Sequence, residues 1–303
     1  MKTLIAVICS VAAAIGFNYS AYLWKKSVDC LPPVKFKFQR EVLKAFFTNR
    51  TWLTGTGFML GASVLYGVAL SLAKVSVVTP IVASGIALLA YLAIKNLGEK
   101  PRRIDLAAIC LNVLGVVCIG ASLAEDVSGK SGTETLTFNP AILWTVAGVA
   151  VLLAILVPLA MRAAGGNREA AGLGIAVGIF YGLNAIFARI LLYDWTQGEF
   201  LHSLLFVAAW AAVVVPGLVI YQAALQKGMA VIVVPVQAGI AQLIPIAVGM
   251  AVLGESFPES GALTALRIAG FSLILAGTVI LAQRSEEPAR GPDPEAASTQ
   301  APL

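Results

Sequence analysis

The sequence predicts an all-α fold, a polytopic membrane protein of about nine transmembrane helices in two inverted repeats, four plus five. Three observations predict it. The chain has 303 residues, 59% hydrophobic and 12% charged, whereas a soluble domain carries about a quarter charged residues. One soluble core could not bury that much apolar surface. The apolar residues also fall in runs of about 20, the length that crosses roughly 30 Å of hydrocarbon as a helix; the short alternating segments of a closed β-barrel are missing. Finally, an early stretch is written again later. VVTPIVASGIALLAYLAIKNLGEK (77–100) and IVVPVQAGIAQLIPIAVGMAVLGES (232–256) both open near a proline and stop at Leu-Gly-Glu.

The nine runs are 3–24, 52–73, 75–96, 106–123, 140–161, 172–192, 203–225, 230–253 and 264–283. The first reads as a span and not a cleaved signal, because its apolar stretch continues through Trp24 and its lysines follow it. Residues 38–47, FQREVLKAFF, set Phe38, Val42, Leu43, Phe46 and Phe47 against Arg40, Glu41 and Lys44, the pattern of a basic amphipathic helix on a membrane surface. The first repeat occupies 1–123, with a basic loop at 25–51. An external linker (124–139), the second repeat (140–284) and a Pro/Ala/Glu-rich disordered tail (285–303) complete the chain.

Lysine and arginine concentrate in cytoplasmic segments. If the 25–51 loop is inside, the inner segments hold sixteen Lys/Arg and the outer ones only Lys2, Lys74 and Lys130, with Arg189 and Arg267 inside spans near their outer ends. Those two arginines read as snorkelling to head groups. The N-terminus is then outside and the C-terminus cytoplasmic, in the plasma or inner membrane. The net charge of +5 reflects this topology and lipid contact, and gives no reason to expect nucleic acid.

A shift of 155 residues pairs Tyr66 with Tyr221, Pro80 with Pro235 and Gly115 with Gly270; one insertion later, Glu99 meets Glu255. Upstream, Gly16-Phe17-Asn18 in the first run resembles Gly182-Leu183-Asn184 in the sixth. By the charge count the two glutamates lie on opposite sides, so the repeats run oppositely. Inverted repeats are a recurring transporter architecture, with substrate near the midplane. LGEKPRRIDLAAICLNVLGVVCIGASL (97–123) and LGE followed by RIAGFSLILAGTVIL (267–281) resemble the ends of EamA repeats of the drug/metabolite transporter superfamily. The count of four plus five and the basic loop after the first span resemble its NIPA-like branch, which implies magnesium transport.

Substrate-binding candidates are Asn18, Asn184, Tyr181, Gln237 and Gln242, polar groups in apolar helices that need a partner. Pro80 and Pro235 join them because a proline frees a carbonyl and can break the helix toward a cavity. Asn18 and Asn184 are expected to face one another near the centre. Tyr66 and Tyr221 are gate candidates, with interfacial anchoring the plainer reading. Gly174, Gly178 and Gly182, like Gly57 and Gly61, have the spacing of close helix packing.

The sixteen carboxylates all lie outside the spans or at their ends, which argues against a dehydrated Mg²⁺ cage and against an intramembrane proton carrier. The expectation is therefore a secondary transporter of a small neutral, zwitterionic or anionic metabolite. A NIPA-like divalent-cation transporter and a non-transporting scaffold or lipid-handling protein are the alternatives. No phosphate-binding loop, metal-ligand spacing or nucleophile arrangement points to an enzyme, a cofactor or a metal site. The expected partners are a small solute and membrane lipids, with a homodimer left open.

Overall fold

The computed structural model describes residues 2–34, 40–72, 78, 81–82, 84–122, 139–252 and 260–283. All regular structure among them is helical: α1 (Lys2–Val28), α2 (Arg40–Thr48), α3 (Arg50–Leu72), α4 (Ile86–Asn96), α5 (Arg103–Ser122), α6 (Pro140–Arg162), α7 (Gly166–Gln197), α8 (Phe200–Lys227), α9 (Ala230–Val252) and α10 (Gly261–Ala282). Seven helices are long and apolar enough to cross a membrane, namely α1, α3, α5, α6, α7, α8 and α10. The runs expected at 75–96 and 230–253 contain shorter apolar helices, Ile86–Asn96 and Ala230–Pro245. The linker up to residue 138, the tail, Pro80, Lys74, Lys130 and Glu255 lie outside the described residues.

Local chemistry explains the boundaries. Gly165 and Gly198, at φ 66° and 80°, bracket α7, and so the sixth run is longer than its apolar centre. Asn139 accepts from Ala141 N–H at 2.9 Å and starts α6 ahead of Pro140. Lys25 and Lys26 lie in the last turn of α1, where cations complement the helix dipole. The short α2 is amphipathic as expected. Its Phe46 is buried against Trp52 of α3, while Phe47 touches the same ring and stays exposed.

Two kinds of contact hold the bundle. In the first, glycine lets backbones meet. Along α7, Gly174 lies against Val233 and Val236, Gly178 against Gln237 and Ile240, and Gly182 against Ile244, all of α9. Gly57 and Gly61 do not work this way, since a Cβ at either would meet nothing within 4 Å. The α1–α3 contact instead runs through Gly16 on Ala62 and Gly55 on Trp24.

The second is a reciprocal crossing of α5 and α10. A Cβ at Gly115 would lie 2.6 Å from Ile274 Cγ1 and 2.8 Å from Gly270 O; one at Gly270 would lie 2.7 Å from Ile119 Cγ1 and 2.8 Å from Gly115 O. Each residue and its counterpart 155 positions on exchange roles in this contact. Further along the crossing Asn112 packs on Gly277, and the counterpart pair, Arg267 and Ser122, is hydrogen-bonded.

Candidate functional site

A cavity of about 270 Å³ lies between α1, α3, α4, α5, α7, α8 and α9. Six of the candidate residues line it: Asn18, Tyr66, Tyr181, Tyr221, Gln237 and Gln242. Phe17 and Trp24 of α1 complete an aromatic wall, and among the described residues no charged one is on the lining. Gln237 and Gln242 both reach the cavity although they sit well apart around α9, because the cavity wraps the side of that helix.

Asn18 is 5% exposed, and its Nδ2 donates to Ala14 O at 2.9 Å. With the nitrogen held along α1 and packed toward Gly85, Oδ1 is the end left to accept. Tyr221 is buried at the centre of an edge-to-face cluster, 5.8 Å from the Trp24 ring and 6.2 Å from Tyr181. Tyr66 meets Phe17 in the same manner at 6.1 Å. Neither tyrosine ends its helix, so both belong to the cavity wall and not to an interfacial belt.

The other expected residues are placed differently. Asn184 is not on the cavity lining, and its Oδ1 is buried without a hydrogen-bond partner among the described residues. The reason is packing. Gly16 lies on Ala62 of α3 whereas Gly182 lies on Ile244 of α9, so matched triplets face different neighbours and the two asparagines do not share a cavity. Pro235 is off the lining too, and α9 runs unbroken through Pro235 and Pro245. The side chain of Arg189 lies outside the description. Arg267 does not snorkel: it is 3% exposed, and its Nε and Nη2 donate to Ser122 Oγ and O at 3.2 and 3.3 Å.

The repeated LGE triplet has a local meaning in the first repeat. Leu97 and Glu99 N–H groups both turn back to Ala93 O at 3.1 Å, with Gly98 at φ 68°, a glycine-terminated helix end. That turn delivers Glu99, 7% exposed, to the start of α9. Its Oε1 accepts from Ala230 N–H at 2.6 Å and its Oε2 from Val231 N–H at 3.0 Å. A carboxylate at a helix N-terminus satisfies orphan donors and complements the dipole. Burial pushes the Glu99 carboxyl above its ordinary value near 4.5, against the pull of these two N–H groups and of Lys25.

The same end carries other ties. Lys25 Nζ donates to Leu225 O at 2.7 Å and pairs with Asp29 at 2.8 Å. Gln226 accepts from Val34 N–H and donates to Pro32 O. Asn167 Oδ1 accepts from Met229 N–H at 3.0 Å, beside Glu99's bonds. Segments 25–34, 97–100, 167–169 and 225–231 therefore share one end of the bundle. Among the described residues, no group of three or more His, Cys, Asp or Glu is placed to hold a metal.

No protein-family model matches the chain, and no solved structure does. It is similar to a protein of Arabidopsis thaliana described as probable magnesium transporter NIPA9, 26% identical over 295 residues, which covers 92% of this chain and 82% of that one. The chain is thus a multi-pass helical membrane protein that resembles, along nearly its whole length, a membrane transporter and not an enzyme.

Proposed function

We propose that this protein is a secondary transporter that carries a hydrated divalent cation, Mg²⁺ in the first instance, through the central cavity by alternating access. In this reading the chain makes nine passes, with α4 and α9 as the third and the eighth, and the halves 1–123 and 140–284 are inverted repeats of the drug/metabolite type. The reciprocal α5–α10 crossing supports that relation. The likeness to a probable magnesium transporter over 92% of the chain is the observation that carries the cargo assignment.

The absence of carboxylates from the lining turns from an objection into a constraint on how the ion travels. Mg²⁺ dehydrates reluctantly and keeps several waters. Six waters at about 30 Å³ each come to roughly 180 Å³, which fits the 270 Å³ available. Amide oxygens can accept from the metal-bound waters, and aromatic faces attract a cation. Magnesium uptake by the purified protein in liposomes, read with an internal indicator, tests the reading. Saturable uptake that falls on Asn18→Leu and Gln242→Leu is expected.

A second reading has its own support. An uncharged lining of rings and amides also suits a neutral or zwitterionic metabolite. Absence of saturable Mg²⁺ flux, together with accumulation of an organic solute in cells that express the protein, would replace the first reading with this one.

A further inference from the structure

Four prolines lie inside described helices: Pro158 of α6, Pro216 of α8, and Pro235 and Pro245 of α9. Each lacks the N–H that would bond the carbonyl four residues earlier. The carbonyls of Ala154, Ala212, Val231 and Ala241 are therefore left out of their helix ladders. Of these four residues only Ala241 is on the lining of the central cavity, where Gln237 and Gln242 flank it. Asn18, tied by its nitrogen to Ala14 O, offers an oxygen to the same space.

We propose that the Ala241 carbonyl, freed by Pro245, and Asn18 Oδ1 form an acceptor subsite that binds the water shell of the transported cation. It rests on the transport reading above and names the atoms that select a hydrated cation over an anion. Two acceptors and five aromatic residues (Phe17, Trp24, Tyr66, Tyr181, Tyr221) surround the space, and among the described residues no Lys or Arg is on the lining. The donors on this lining are neutral, the Gln237 and Gln242 amides and the tyrosine hydroxyls, so an anion would find no full positive charge to offset its desolvation. A metal-bound water brings its own polarised O–H donors, so the ion gains hydrogen bonds without shedding its shell. A proline at 245 thus supplies in backbone what a carboxylate would supply at the cost of a buried charge.

Cobalt(III) hexaammine is the probe, because its ligands do not exchange and it can bind only through the N–H donors of its shell. It is expected to compete with Mg²⁺ for the purified protein. Pro245→Ala returns an N–H to the Ala241 carbonyl within the helix and is expected to weaken both ions about tenfold, the loss of one charge-assisted bond. The KM for Mg²⁺ should rise with maximal flux unchanged and with a melting temperature that holds or rises, since the restored bond favours the helix, whereas a proline needed only for the fold would lower the melting temperature on removal. Asn18→Leu, which keeps α9 intact, should weaken the probe to the same degree and guards against misfolding of the proline variant. Mg²⁺ transport without competition by the probe would show a dehydrated ion and overturn the subsite while the transport reading stands. A folded Pro245→Ala protein with unchanged affinity would overturn the carbonyl's role. No Mg²⁺ flux in the unsubstituted protein would remove the cargo reading and this subsite with it.

Discussion

At one end of the bundle Glu99 meets the start of α9; at the other, Arg267 meets the finish of α5. Each is nearly fully buried, and each terminates a helix of the opposite half with the charge that its dipole favours, anion at an N-terminus and cation at a C-terminus. The difference lies in how each grasped helix is held. α9 carries Gln237, Ala241 and Gln242 on the cavity lining, whereas α5 brings Val116 to it and is locked to α10 through Gly115 and Gly270. Glu99 reaches α9 from a connecting turn, and Arg267 reaches α5 from within α10 itself. A tie from a turn to a lining helix can release; a tie within a close glycine-mediated crossing is a clasp. The contrast predicts that one end is a latch and the other a pivot.

The largest effect is expected from Glu99→Ala. It leaves the Ala230 and Val231 N–H groups buried without acceptors, a loss of about 2–4 kcal/mol for two such groups. If the tie is a latch, the loss appears as opening and not only as lower stability. In a background without the native cysteines, Ala238→Cys on the lining should label several-fold faster with an impermeant maleimide applied from the side of the 25–51 loop. Glu99→Gln keeps one acceptor oxygen and should fall between. Unchanged labelling in Glu99→Ala, with the protein less stable, would reduce the tie to a helix cap.

Arg267→Met should show the opposite pattern. It removes the two bonds to Ser122, about 1.5–3 kcal/mol for hydrogen bonds from a charged donor. The melting temperature should fall while labelling of Ala238→Cys from either side stays the same. A change in sidedness would break the comparison, because the clasp would then take part in gating.

Much of this was legible in the sequence, and the limits are physical. Polar and aromatic side chains in apolar runs stand out, and Asn18, Tyr181, Gln237 and Gln242 are on the cavity lining along with Tyr66 and Tyr221. The 155-residue shift pointed to Gly115 and Gly270, which cross directly. A matched triplet does not fix its neighbours, however, and Asn184 went astray for that reason. Glu99 was visible only as a loop acid, since its partners lie 131 and 132 positions on and no periodicity joins a turn to a distant helix start. The arginine was misread because composition cannot tell a side chain that climbs to head groups from one that closes a helix.

The smallest effect expected is on the pH dependence of the latch, and its sign separates it from a simple ion pair. Burial raises the Glu99 carboxyl above 4.5, offset in part by the N–H groups of Val231 and Ala230 and by Lys25, and reinforced by Asp29. A group whose pKa is raised in the closed arrangement binds its proton more tightly there than in an open, solvated one. Linkage then favours the closed end on acidification, with the effect fully present below the ordinary value and lost as pH rises through the raised one. Labelling of Ala238→Cys from the side of the 25–51 loop, corrected for thiolate fraction, should slow as pH falls through that window. The dependence should vanish in Glu99→Gln, which cannot titrate. Faster labelling at low pH would mean that the charged carboxylate, and not its neutral form, holds α9, and the latch would then open by protonation.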